Sequence, residues 1–232
     1  MEYIDNSSLA NTIDNVSEAL LFELDITENE KMNIADFLIG RHKAPDAYAN
    51  TFTPTTSDEK TAYVLFTGEK VKSRAGKFHI IGEEAIRILR KLNMNTPEAK
   101  IALAEADQGI QQQIDANWQK QRYPYGTYCC KTCSTAYWLN LSSRDRNNNT
   151  DILLAGLEYL KQNREEKGTW KSFHYFYTLY TLNEIDPDLS MEEMRFASRS
   201  ILRWIKRKPL EENRYTMRRY FIGESILKKC KA

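Results

Sequence analysis

Three cysteines lie close together in the middle of the chain and form its densest group of reactive side chains. Cys129, Cys130 and Cys133 are spaced by three and four residues, so on a helix they share one face. This spacing predicts a soft-metal or thiolate site in which Cys129 and Cys133 act together with His79 or His174. Zinc is the cofactor that such a site would take. The alternative, favoured because no second Cys-x-x-Cys pair occurs, is that no cofactor is bound and the cysteines pack as small buried groups.

Aromatic side chains form a second group, because they recur every few residues along two apolar runs. We expect them either to line a pocket for a hydrophobic small molecule or to fill the centre of a helical bundle. The second interpretation is favoured, since aromatic stripes on interior helices are usually core. The candidate pocket residues are Tyr128, Trp138, Trp170, Phe173, His174, Tyr177 and Tyr180.

Other signals for catalysis are sparse. The chain has only three histidines, and no Ser/His/Asp or Cys/His order can be argued from so few. No glycine-rich phosphate loop and no EF-hand pattern occurs in the sequence. No catalytic residue is therefore assigned, and the sequence leaves open whether the protein is an enzyme.

A loop with a glycine and an aromatic residue precedes an apolar run at three places, 74–78, 121–128 and 162–170. The spacing of roughly 40–50 residues is typical of repeat architectures, in which each unit buries its apolar face only by stacking on its neighbours. Aligned on their glycines, the three copies place His79, Cys129 and Lys171 at equivalent positions. We expect these three residues to lie at one rim of a central space.

Helical patterns dominate the elements that would position these residues. Capping boxes at 56–59 and 190–193 and the Thr96-Pro97-Glu98 start predict three helix beginnings. We expect 68–82 to be a polar loop, 142–150 a turn and Pro209 a helix end, and we predict no strand. The predicted helices or apolar runs are 9–24, 33–39, 56–66, 83–92, 97–120, 128–141, 151–162, 170–184, 190–205 and 213–229.

This pattern predicts an all-α fold, a toroid-like α/α array of helical hairpins that is open or partial. The length predicts a single domain over 1–232. Within it, 1–68 would hold N-terminal helices and an irregular loop, and 69–232 the hairpin repeats.

One repeat also resembles a known family. Gln162, Gly168 and Trp170 stand at the spacing of the Gln/Trp motif of triterpene cyclases, so residues 74–185 resemble the prenyltransferase and squalene-cyclase type of α/α toroid. The resemblance implies inner helices around a central space, with aromatic walls that hold isoprenoid chains in those enzymes. The acid motif Asp-x-Asp-Asp of the cyclases is missing, and no aspartate stands beside the cysteines as in zinc-dependent prenyltransferases. The whole-chain pattern also resembles bacterial proteins that have no assigned reaction.

Charge is balanced overall but uneven along the chain. Lysine and arginine number 33 against 32 acidic residues, yet the first 36 residues are acidic and the last 40 or so are basic. We expect the two ends to attract each other rather than to bind nucleic acid, which makes a nucleic-acid partner unlikely. The sequence shows neither a signal peptide nor a membrane helix, so we predict a cytoplasmic protein without a membrane partner.

Three functions follow as hypotheses. The first is a non-catalytic binding or scaffold protein whose partner is a hydrophobic small molecule or another protein. The second is a prenyltransferase- or terpene-cyclase-like enzyme acting on a hydrophobic substrate. The third is an anion or nucleic-acid binder that uses the basic C-terminal face. The missing catalytic motifs favour the first.

Overall fold

The computed structural model describes residues 2–45, 47–144, 149–207 and 213–231. Over these residues the chain is mostly helical, with ten α-helices and four strands of two residues each. The prediction of an all-α fold is therefore confirmed. Within the same residues, no helix is both long enough and apolar enough to cross a lipid bilayer.

The chain divides into two compact units. The first comprises 1–63 and 70–122, and the second comprises 64–69 together with the residues from 123 onward. A short hairpin of strands β1 (Tyr63–Val64) and β2 (Lys70–Val71) therefore contributes its tip to the second unit. The prediction of a single domain over 1–232 stays a prediction.

The first unit is built around a long buried helix, against which its neighbours pack. Its helices are α1 (Leu9–Leu21), α2 (Glu28–Ile39), a 3-10 turn (Tyr48–Asn50), α3 (Thr56–Lys60), α4 (Arg74–Lys91) and α5 (Pro97–Gln119). Helix α4 is buried along fourteen consecutive residues, from Gly76 to Leu89, and it contacts α1, α2 and α5. It is therefore the core helix of this unit.

Two buried charged residues fix the helix ends of the first unit. Asp58 accepts hydrogen bonds from Leu9 N at 2.8 Å and Thr55 N at 2.9 Å, so one carboxylate caps both α1 and α3. The ammonium of Lys77 donates to the carbonyls of Asp58, Glu59 and Thr61, which lie at the end of α3. Each charge is thus paired with the opposite end of a helix dipole.

The second unit has its own core helix. Its elements are α6 (Lys131–Leu141), α7 (Thr150–Lys161), the hairpin β3 (Arg164–Glu165) with β4 (Thr169–Trp170), α8 (Tyr175–Glu184), α9 (Pro187–Lys206) and α10 (Arg214–Lys229). Helix α8 contacts α6, α9 and α10 and buries six consecutive residues, Tyr177 to Leu182. The interior helix expected in this region is thus present, although it begins at Tyr175 rather than at Trp170.

Several predicted boundaries are wrong for identifiable reasons. The expected loop 68–82 ends early, because Ser73 caps α4 and the helix begins at Arg74. Helix α3 stops at Lys60, and Tyr63 belongs to a strand, so the predicted helix 56–66 is too long. Short strands therefore do occur, against the expectation of none. Helix α2 begins at Glu28, before the predicted 33, because Thr27 and Glu30 form a capping box.

The predicted capping boxes are also displaced. Thr55 and Asp58 form the box of α3, one residue before the expected pair. Helix α9 begins at Pro187 with Asp186 as its N-cap, so Ser190 lies within the helix instead of capping it. The predicted starts at 97 and near 213 are confirmed by α5 and α10. Residues 145–148 of the expected turn 142–150, and the helix end expected at Pro209, lie outside the described residues.

Two copies of the glycine loop share one local structure. Gly126 and Gly168 have φ values of +77° and +78°, which an L side chain rarely adopts. Gly126 lies against Gly156 of α7, and Gly168 lies against Ser200 of α9. Each glycine therefore packs on the second helix of the pair that follows it. The third copy differs, because Gly76 lies within α4.

Candidate ligand-binding cleft with a thiol cluster

The three clustered cysteines lie where the loop 123–130 runs into α6. Cys130 is the N-cap residue of the helix and is exposed, whereas Cys133 is fully buried one turn later. The Sγ atoms of Cys130 and Cys133 are 3.4 Å apart. Cys129 is half-buried and has a left-handed backbone, with φ of +67°. Hydrogen bonds with Cys129 and Cys130, together with burial, raise the pKa of the Cys133 thiol.

The loop before α6 is held in place by side chains of that helix. The hydroxyl of Ser134 accepts from Tyr128 N at 2.9 Å and donates to Tyr128 O at 3.2 Å. The indole of Trp138 donates to Gly126 O at 2.6 Å. The position of the thiols therefore follows from buried hydrogen bonds that span only a few residues of sequence.

A cleft of about 430 Å³ opens beside the thiols. Tyrosine rings, small polar groups and a lysine form its walls. The lining residues are Tyr123, Pro124, Thr127, Cys129, Cys130, Lys131, Thr132, Ser134, Tyr159 and Ser172. Every one of them belongs to the second unit.

Lys131 places a positive charge at this cleft. Its ammonium donates to Asn163 Oδ1 and Lys171 O, each at 2.6 Å, and it lies 5.0 Å from the centre of the Phe173 ring. Burial lowers the pKa of Lys131, and the neighbouring charge of Lys171 lowers it further against the opposing effect of Glu165. A lysine ammonium has three donors, so two fixed bonds orient it and leave one N–H for a further acceptor.

Six of the seven predicted pocket residues are core side chains of the second unit. Trp138 and Phe173 stack with ring centres 6.0 Å apart, and Tyr177 and Tyr180 are 6.4 Å apart. The residues that are at least nine-tenths buried are Tyr128, Trp138, Trp170, Phe173, Tyr177 and Tyr180. The cleft beside the thiols is lined by Tyr123 and Tyr159 instead of by this set. That these aromatic residues line a ligand pocket stays a prediction.

The two histidines of the predicted metal site occupy different surroundings. His79 is buried in α4 of the first unit, where it stacks on Tyr48 at 4.6 Å between ring centres and lies 3.5 Å from Glu83 Oε1. His174 is the half-buried N-cap residue of α8 in the second unit, and its side chain makes no capping hydrogen bond. The participation of His79 and His174 in a metal site with Cys129 and Cys133 stays a prediction.

Sequence reasoning missed the cleft residues Tyr123, Lys131 and Tyr159. They stand outside the apolar stripes, and nothing in their spacing relates them. It also missed Glu193, whose buried carboxylate accepts from Trp170 Nε1 at 2.8 Å and pairs with Arg164. The only available signal was the glutamate itself, at a position predicted to cap a helix.

A basic stripe runs along one side of α9. Arg195, Arg199, Arg203 and Lys206 are exposed and recur at intervals of three or four residues, so they share one helix face. Arg203 also donates to the carbonyl of Lys167. The stripe lies within the basic C-terminal region of the sequence.

Comparisons with protein-family models, with curated proteins and with solved structures found no match to this chain.

Proposed function

We propose that this chain is a non-catalytic binding protein built on a prenyltransferase-like, toroid-like array of helical hairpins. Two successive helix pairs, α6 with α7 and α8 with α9, each follow a left-handed glycine that packs on the second helix of the pair. This recurrence within the second unit supports a hairpin repeat. The enzyme hypothesis keeps the status of a prediction, because no catalytic residue is assigned.

The cleft beside Cys130 is the observation that carries the proposal. Its volume of about 430 Å³ falls within the range of roughly 300–1,000 Å³ that is usual for small-molecule sites. Tyr123 and Tyr159 offer apolar ring faces, and Lys131 offers a positive charge with one unused donor. These walls suit a small amphipathic molecule with an apolar body and an anionic group.

Native mass spectrometry of gently purified protein, compared with the denatured mass, tests for a resident ligand. An organic adduct that disappears on denaturation supports the cleft as a binding site. An adduct with the mass of one zinc ion, lost in a Cys129→Ser/Cys133→Ser double variant, would instead support the predicted metal site. His79→Ala and His174→Ala variants then test whether either histidine completes it.

A binding assay with the fluorescent anion anilinonaphthalene sulfonate tests the cleft when no ligand is retained. Replacement of a cleft aromatic by a smaller side chain loses contacts worth on the order of 1 kcal/mol, so Tyr159→Leu should weaken binding by up to about tenfold. The matched control is Tyr220→Leu on α10, because Tyr220 is 47% exposed and does not line the cleft. Equal affinities of the Tyr159→Leu variant and the wild type would contradict the proposal.

The basic stripe on α9 favours anion binding as a second candidate function. Exposed arginines on one helix face suit a phosphate-rich polymer, and such binding weakens steeply with salt. We expect an Arg195→Gln/Arg199→Gln variant to lose most of any retention of a DNA or RNA fragment in a gel-shift assay at low salt. Retention that depends on neither salt nor these arginines would exclude the stripe as the binding surface.

A further inference from the structure

The Cys130-Lys-Thr-Cys133 segment carries an inference that goes beyond ligand binding. It places two thiols in contact, with 3.4 Å between their sulfur atoms, at the first turn of α6. A disulfide requires a sulfur–sulfur distance of about 2.05 Å, so a shift of about 1.4 Å, within reach of a side-chain rotation, would bring them to bonding distance.

The two thiols differ in accessibility. Cys130 is exposed and lines the cleft, whereas Cys133 is fully buried behind it. Of these two thiols, only that of Cys130 is accessible to an incoming reagent. Such an arrangement, one accessible thiol with a second thiol behind it, is the usual basis of a dithiol that forms a disulfide with itself.

We propose that Cys130 and Cys133 form a dithiol–disulfide redox pair, in which Cys130 is the attacking thiol and Cys133 the resolving thiol. The oxidant belongs to the class of low-molecular-weight disulfides. The thiolate of Cys130 attacks one sulfur of that disulfide, breaks its S–S bond and releases one small thiolate. Cys133 then gives its proton to solvent, attacks Cys130 Sγ and releases the second small thiol. The protein loses two electrons and two protons, and the small disulfide is reduced to two thiols.

The buried thiol is suited to the second step. Cys133 is fully buried and its Sγ lies 3.4 Å from that of Cys130, so it is shielded from solvent while Cys130 reacts. Once Cys130 has been modified, the two sulfur atoms of Cys130 and Cys133 are still neighbours. The attack of Cys133 on the mixed disulfide is then intramolecular, so it is faster than attack by a second small molecule.

The test uses the full chain, reduced and freed of metal by a chelator, and then incubated with glutathione disulfide. Free thiols are blocked afterwards with N-ethylmaleimide and counted by intact mass spectrometry. Since the chain has 4 cysteines, we expect the label to fall from four groups to two, without a glutathione adduct. Peptide mapping should place the disulfide between Cys130 and Cys133.

Variants separate the two roles. Cys133→Ser should accumulate one glutathione on Cys130, and Cys130→Ser should leave Cys133 unmodified. Cys230→Ser is the matched control, because Cys230 does not line the cleft, and it should still form the disulfide. Cys129→Ser tests whether the neighbouring thiol is needed, and we expect it to form the disulfide too. Cys133→Ala provides a second resolving-thiol variant, and its circular dichroism is compared with that of the wild type to establish that it folds.

Two results would overturn the proposal. One is a wild-type protein that retains four labelled cysteines or carries stable glutathione adducts at several sites. The other is a disulfide that persists in Cys130→Ser and is lost in Cys129→Ser, which would assign the pair to Cys129 and Cys133. Neither result depends on ligand binding in the cleft, so the redox pair can fail while the binding function stands.

Discussion

His42 shows how one buried side chain can make stability depend on pH. Its imidazole is largely buried, its Nε2 has no hydrogen-bond partner, and its Nδ1 lies 3.9 Å from Glu105 Oε2. Burial lowers the pKa of His42, and the carboxylate of Glu105 only partly opposes this effect while Lys43 adds to it. The neutral imidazole is therefore the form that the fold accommodates.

We predict that His42 lowers the stability of the protein in mild acid. In the unfolded chain it takes up a proton near the ordinary pKa of about 6.5, whereas the folded protein resists protonation until a lower pH. Its contribution is therefore fully present above about pH 6.5 and is lost as the pH falls through the lowered pKa of the folded state.

Urea unfolding of the wild type and of a His42→Gln variant at about pH 7.5 and about pH 5 measures this contribution. The wild type should lose more unfolding free energy between the two pH values than the variant does. Equal losses would show that other groups account for the acid sensitivity.

At the scale of elements, the glycine loops decide where the helix pairs of the second unit begin. A Cβ at Gly126 would lie 2.5 Å from the backbone nitrogen of Gly156, and one at Gly168 would lie 3.1 Å from Ser200 Oγ. Both positions are also left-handed. At Gly76, in contrast, the nearest atom would be 3.4 Å away and the residue is within a helix.

We predict that alanine substitutions at these three glycines differ in their effect on stability, in the order Gly126, Gly168, Gly76 from most to least destabilising. A left-handed backbone costs an alanine roughly 1–2 kcal/mol, so Gly168→Ala should lower the free energy of unfolding by about that much. Gly126→Ala should lower it further, because backbone atoms block the added methyl group. Gly76→Ala should be neutral or stabilising by up to about 1 kcal/mol, since alanine favours the helix. Denaturant midpoints at constant m-value measure the order, and a Gly126→Ala variant as stable as Gly76→Ala would contradict it.

At the scale of the whole molecule, the second unit is completed by a segment from far along the chain. Residues 64–69 belong to it, and Arg218 of α10 donates to Phe66 O at 2.8 Å while its guanidinium lies 4.1 Å from the centre of the Phe66 ring. Glu69 accepts from the backbone nitrogens of Phe176 and Tyr177, at 2.9 and 3.2 Å. It supplies the capping hydrogen bonds that His174 does not make at the start of α8.

We predict that Phe66→Ala destabilises the second unit strongly. Phe66 is 5% exposed and packs between Arg218 and Tyr180, so its loss should cost roughly 3–5 kcal/mol. The matched control is Phe221→Ala, because that ring is 41% exposed, and it should cost well under half as much. Thermal and urea unfolding measure both variants. Similar losses in the two would mean that the 64–69 segment contributes little to the unit.

The sequence by itself determined the helical class, the positions of most helices and the grouping of the cysteines. These features depend on contacts between residues a few positions apart. Such contacts are visible in the sequence as helical periodicity and as capping residues. The start of α5 at Thr96-Pro97 and the glycine loops that precede α6 and α8 are of this kind.

The tertiary structure alone decided which side chains meet across long separations. Lys131 bonds Asn163 beside the cleft, Asp58 caps α1 from 49 residues away, and Arg218 bonds Phe66 across 152 residues. The helical conformation of 74–82 within the predicted loop also depends on tertiary contacts, because beyond the Ser73 cap these residues are mostly buried against other helices. A single sequence does not show which distant residues are in contact, because each of them is only one of many polar or aromatic residues in the chain.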